Sequence, residues 1–186
     1  MPDSRWCQKT LVEAYRFAAR AHGEQTMPDG DRTLPYAVHI SSVTMEICAA
    51  LSVESFASPD LAVQCALLHD TVEDTKVTCQ DVEDHFGRAV ADGVAALTKS
   101  STLPKSEAMA DSLKRIREQP HEVWAVKLAD RITNLEPPPA AWSLDKRRAY
   151  CAEAQDILEA LGSASAHLAE RLRRQIARYE LQSCTD

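Results

Sequence analysis

An all-α, single-domain fold is predicted by three features of the sequence. Ala, Leu, Glu and Arg are abundant, while Gly is limited to five residues and aromatic residues to 5%, a composition that favours helix over sheet. Apolar residues recur at i, i+4, i+7 and i+8, as in Leu11, Tyr15, Ala18 and Ala19. No stretch alternates with period two for long enough to read as a strand. A chain of 186 residues with 45% hydrophobic content can bury one sizeable core, so one domain over 1–186 is expected, without repeats, linkers or low-complexity tracts.

Ser4 is a candidate cap for the first helix, which should fade near Gly23. The following G-E-Q-T-M-P-D-G-D-R-T-L-P holds two Pro and two Gly and reads as a loop. A second helix is expected over about 36–51. Pro59 suits the first turn of a third, which carries L-A-V-Q-C-A-L-L-H-D. Thr78 and Asp81 make a T-x-x-D start signal ahead of Val82 and Phe86. Further helices are expected over 88–98, 105–119 and 121–135. Pro137, Pro138 and Pro139 then stop the chain, since none offers an amide donor. Ser143 is a candidate cap for a helix through Tyr150, Ala154, Ile157 and Leu161, and a final helix covers 165–181.

The formal charge of −7 argues against a nucleic-acid polymer or an anionic membrane as partner. It leaves room for a small anionic ligand, because exposed charges are screened beyond about 8 Å and a local basic pocket can act against the global sign. No segment approaches the ~20 apolar residues needed to span a bilayer, and M-P-D-S-R-W-C-Q-K-T-L lacks the apolar run of a signal peptide. The cysteines at 7, 48, 65, 79, 151 and 184 form no C-x-x-C pair. Cys48 and Cys65 lie in apolar helical patterns, so reduced thiols in a cytoplasmic protein are expected. Exposed helical faces could support a homo-oligomer, but nothing in the sequence specifies the partner.

One stretch, A-L-L-H-D-T-V-E-D-T at 66–75, ends a core-like apolar run in a cluster of ionisable groups. Burying His69, Asp70, Glu73 and Asp74 without partners costs several kcal/mol each. Either the cluster faces water or a bound cation holds it together. On a continuing helix His69 sits over Glu73, and Asp70 over Asp74. More ligands must come from distant helices, and two residues qualify. His39 follows P-Y-A-V, and Asp130 interrupts A-V-K-L-A-D-R-I-T-N-L beside the core positions Ala125, Leu128, Ala129 and Ile132, where a mid-helix Asp has poor propensity. Two imidazoles and two carboxylates suit a divalent metal with open positions for water, and Mn²⁺ is a good candidate. Taken singly, a His at 39 or an Asp at 130 is more often an ordinary hydrogen-bonded residue, and an E-D pair at a helix end a solvated face. His85, His121 and His167 lie in polar surroundings and are given no ligand role.

P-Y-x-x-H, A-L-L-H-D-T-V-E-D-T and V-K-L-A-D-R-x-x-N-L, in that order and joined by D-V-E-D-H-F-G, resemble the hydrolase domain of RelA/SpoT homologues. The layout is similar to the small alarmone hydrolases, which contain that domain alone, and the resemblance covers about residues 5–160. It implies an all-helical HD-type hydrolase that uses Mn²⁺ to remove the 3′-pyrophosphate of guanosine tetra- and pentaphosphate, (p)ppGpp. It further implies His39, His69, Asp70 and Asp130 as metal ligands and Glu73 and Asp74 as the catalytic pair. Asn134, Tyr36, Lys146 and Tyr150 fall at substrate-contacting positions.

Three departures accompany the match. Relatives carry an R-K pair where this chain has Thr26, Met27 and Pro28, with Arg32 nearer the P-Y end. Ser101 stands where the metazoan-type relative has Lys, although Lys99 and Lys105 are near, and E-P-P-P shortens the connection to W-S-x-D. These changes surround the base and distal phosphates, so adenosine alarmones such as (p)ppApp stand beside (p)ppGpp as expected substrates. The rival readings are a phosphohydrolase of another nucleotide, such as NADPH, and an alarmone-binding module without turnover.

Overall fold

The computed structural model describes residues 6–27, 33–138 and 142–183, and each predicted helix forms within them. In chain order these are α1 (Gln8–His22), α2 (Ala37–Val53), α3 (Pro59–Leu68), α4 (Thr71–Asp74), α5 (Cys79–Phe86) and α6 (Arg88–Leu97). They are followed by α7 (Lys105–Arg117), α8 (His121–Asn134), α9 (Leu144–Leu161), a 3₁₀ turn (Gly162–Ala164) and α10 (Ala166–Ser183). The described residues contain no strand beyond an isolated bridge between Thr26 and Pro35, so the fold is an all-helical single domain. The cap predicted at Ser4 lies outside the described residues; α1 begins at Gln8, and the Cys7 amide that precedes it donates to Asp60 Oδ1 in the first turn of α3. Pro28, Arg32, Pro139 and Cys184 also lie outside them.

Two start signals work as the sequence implies. Thr78 and Asp81 exchange side-chain and backbone hydrogen bonds as a capping box, and the Ser143 hydroxyl accepts from the Lys146 amide. One element departs from the pattern. The helix carrying the H-D motif ends at Leu68, and the chain turns at Asp70 (φ −101°, ψ −3°) before a single new helical turn, α4. Thr71 Oγ1 donates to the Leu68 carbonyl (2.6 Å), a local side-chain bond that competes with helical continuation.

The core is organised around α2, α3 and α8, which pack on one another. In α3, Leu61 to Leu68 are buried except Gln64, and from Ala125 to Ile132 every residue of α8 is buried. A helix buried on all sides belongs at a centre; the charged residues within α8 therefore need partners, and Lys127, Asp130 and Arg131 find them at the site below. α1 covers α3, while α9 and α10 cover α8. Gly93 sets the approach of α6: a Cβ there would lie 2.8 Å from Cys65 Sγ and 3.0 Å from Val123 Cγ2. Among the described residues, Cys7, Cys48, Cys65, Cys79 and Cys151 are free thiols, and no helix is long and apolar enough to cross a membrane.

Candidate metal centre and active site

The first turn of α2, the end of α3 and the last turns of α8 bring four predicted ligands together. His39 Nε2 and His69 Nε2 face each other at 3.3 Å. Asp70 Oδ2 lies 2.9 Å from His69 Nε2 and 3.5 Å from His39 Nε2, while Asp130 Oδ1 lies 3.5 Å from His39 Nε2 and 3.8 Å from His69 Nε2. His39, His69 and Asp70 offer one ligand atom each within 4.8 Å of one another, which suits a metal ion. Asp130 approaches the same point from α8. His69 Nδ1 is 2.9 Å from the Ala66 carbonyl. A proton there leaves the Nε2 lone pair of the neutral ring directed at the cluster, since a backbone carbonyl on the other ring nitrogen fixes the tautomer that metal-ligating histidines use. The donor set thus fits a divalent cation.

The electrostatics point the same way. Burial pushes both imidazoles down, but hydrogen bonds and charge from Asp130 and Asp70 outweigh it, holding His39 at about 10 and raising His69. Burial pushes Asp70 up, yet His69 and His39 hold it below the usual carboxylate range; burial likewise opposes Asp130, which Lys127 and the two imidazoles hold well below that range. Protons on the imidazoles supply the positive charge that a cation replaces.

These four residues line a cavity of about 200 Å³ together with Glu73, Asp74, Lys99, Lys127, Asn134 and Tyr150. Glu73 Oε2 accepts from the Lys99 amide (2.8 Å). Burial and the neighbouring Asp70 charge raise Asp74. The Tyr36 hydroxyl donates to Asp70 Oδ2 (2.5 Å) and lies 3.2 Å from Asp74 Oδ2. Asn134 Nδ2 donates to Asp130 Oδ1 (2.5 Å), and the Tyr150 hydroxyl lies 3.4 Å from the Asn134 carbonyl. Lys146 does not line this cavity; its ammonium sits 3.8 Å from the centre of the Trp142 ring. His85 and His121 pack at a tilt against Phe17 and Trp124, and neither lines the cavity.

Residue-type reasoning passed over two cations. Lys127 Nζ is 2.9 Å from Asp130 Oδ2, and Arg131 lies 4.4 Å from the centre of the Tyr150 ring while pairing with Glu153. The signal was present for both: an i, i+3 spacing from Lys127 to Asp130, and an Arg beside the core positions Leu128, Ala129 and Ile132. A second cavity, about 330 Å³, shares His39 with the first and is lined by Met27, Ser42, Ile132, Glu136 and Gln175 among others.

Comparison with known proteins places these features in context. A family model described as HD domain matches residues 14–172. The chain is 33% identical over 174 residues to the guanosine-3′,5′-bis(diphosphate) 3′-pyrophosphohydrolase MESH1 of Danio rerio, covering 90% of this chain and 94% of that protein. It is 33% identical over 159 residues to the bifunctional (p)ppGpp synthase/hydrolase SpoT of Escherichia coli, covering 82% of this chain and 21% of SpoT. A solved structure of a metazoan orthologue of SpoT that hydrolyses ppGpp superposes with a TM-score of 0.80 at 26% identity, covering 92% of this chain and 96% of that one.

Proposed function

Because this chain belongs to the HD domain family, we propose that it is a metal-dependent 3′-pyrophosphohydrolase of (p)ppGpp, yielding GDP or GTP and pyrophosphate. The observation that carries this reading is the convergence of His39, His69, Asp70 and Asp130 from three helices, with two carboxylates on the rim of the same cavity. These four residues are the proposed ligands, and Mn²⁺ the proposed ion, since a mixed imidazole–carboxylate set suits it. A cation bound there supplies Lewis acidity toward a phosphoryl oxygen and makes water a better nucleophile.

The chain's own residues supply the rest. Glu73 and Asp74 orient the attacking water and take its proton. Lys99 and Lys127, which both line the cavity, offer positive charge to the phosphates. Asn134, Tyr36 and Tyr150, which line the cavity, are proposed substrate contacts; Lys146 would join them only by leaving the Trp142 ring. Tyr36 and Asn134 reach the substrate by letting go of the Asp70 and Asp130 carboxylates they now bind, or act through those carboxylates. Met27, on the adjoining cavity, offers an apolar surface to a purine without the charge of an Arg, which keeps (p)ppApp within range.

Product analysis tests the reaction. Pure protein with Mn²⁺ and ppGpp or ppApp should release pyrophosphate from one or both, and no orthophosphate from NADPH. Orthophosphate as the sole product would favour the other-nucleotide reading, and tight binding without turnover the silent module.

A further inference from the structure

The proposed catalytic pair stands on a helical turn too short to hold its own shape. α4 has four residues, and a single turn fixes several backbone dihedrals for one hydrogen bond. Its placement therefore depends on bonds from outside. Tyr36 reaches the Asp70 and Asp74 carboxylates, and the Lys99 amide reaches Glu73. A further external bond comes from the segment after α1: Gln25 Nε2 donates to the Asp74 carbonyl (2.7 Å), an acceptor that the helix end leaves free.

Gln25 is itself held on several sides. Its amide donates to the His22 carbonyl (2.9 Å), and its carbonyl accepts from the Tyr36 amide (2.8 Å). Its side-chain Oε1 lies 2.7 Å from His22 Nδ1. Since Nε2 must donate to a carbonyl, Oε1 is the acceptor and His22 carries its proton on Nδ1. His22 is 3% exposed, and its ring stacks on Tyr36 with centroids 4.6 Å apart. Burial holds its pKa below the ordinary value, so the ring is neutral. The buried His22 and Tyr36 and the exposed Gln25 between them thus touch α4 at its backbone end and at the Asp74 carboxylate.

We propose that Gln25 is a positioning residue: seated on His22, it locks the end of α4 so that Glu73 and Asp74 face the cavity. This rests on the reading of those two residues as the pair that acts on water. Losing the lock leaves the four ligand side chains in place, because none of them bonds Gln25.

The test uses the full chain with Gln25→Leu, of similar size but without polar atoms, and Gln25→Glu, which keeps the acceptor for His22 and loses the donor to Asp74. Amide hydrogen exchange is followed across residues 71–76, alongside kcat, KM and Mn²⁺ affinity. Both variants should speed exchange in α4 by about fivefold or more, with α2 and α8 unchanged. They should lower kcat by about 10–100-fold, with KM and Mn²⁺ affinity within about threefold of the parent. Unchanged α4 exchange, or faster exchange with parental kcat, would overturn the proposal, as would a comparable loss of Mn²⁺ affinity. A parent chain inactive on every alarmone would remove the reaction while exchange in α4 still decides whether Gln25 holds the turn.

Discussion

Asp70 and Glu73 are three residues apart and have different partners, which separates their expected phenotypes. Asp70 Oδ2 lies against both imidazoles, whereas Glu73 bonds the Lys99 amide on the rim. Asp70→Ala should abolish measurable Mn²⁺ binding. Glu73→Gln should leave Mn²⁺ affinity within about threefold and cut kcat by roughly 10²–10⁴; equal metal loss in both would refute the division of roles. Proton traffic gives a second check. Without a cation, His39 sits at about 10 and His69 is raised, so the pair carries at least one proton at pH 7. Ligation needs neutral rings, so Mn²⁺ binding should release protons and tighten by about tenfold per pH unit for each one released. Calorimetry in buffers of different ionisation enthalpy reads this directly, and a buffer-independent enthalpy would contradict it. At this scale the sequence picked out the four clustered residues together because three motifs in order carried them; residue type alone left each with an ordinary hydrogen-bonded reading. It could not supply partners: that Tyr36 binds two carboxylates, or that Asn134 holds Asp130, depends on helix geometry that residue type does not encode.

Helices were legible because apolar spacing persists along most of the chain, with side-chain caps at Thr78 and Ser143. The break at His69–Asp70 was not, because no Gly or Pro marks it and a local Thr71 bond to the Leu68 carbonyl accompanies the turn. Helix spacing was equally hidden. Gly93 carries no loop signal and an ordinary helical backbone, yet a Cβ there would meet Cys65 Sγ and Val123 Cγ2 at 3.0 Å or less. Gly93→Ala gains about 1 kcal/mol of helix propensity against an overpacking cost of about 1–3 kcal/mol, so a net loss of stability is expected by chemical denaturation. Adding Cys65→Ala should recover part of it, with a coupling of at least about 0.5 kcal/mol between the two sites. Simple additivity would mean that α6 has room to move away from α3.

Across the whole molecule, the proposed ligands come from α2, α3 and α8, the helices that also form the core. An ion joining them should stabilise the fold as a unit. At about 100 times its Kd, Mn²⁺ should add about 2.7 kcal/mol and raise Tm by roughly 5–10 °C, an increase that chelation reverses and His39→Ala removes. The order of the three motifs along the chain made this architecture readable in advance; the loop departures around Thr26 and Met27 made the base preference the part least open to reading, since it depends on what a purine would touch. The most direct test of the central claim is anomalous diffraction from crystals grown with Mn²⁺. One peak should appear within bonding distance of His39 Nε2, His69 Nε2, Asp70 and Asp130 together. A peak elsewhere, or one held by α3 residues alone with Asp130 still turned to Lys127 and Asn134, would contradict it.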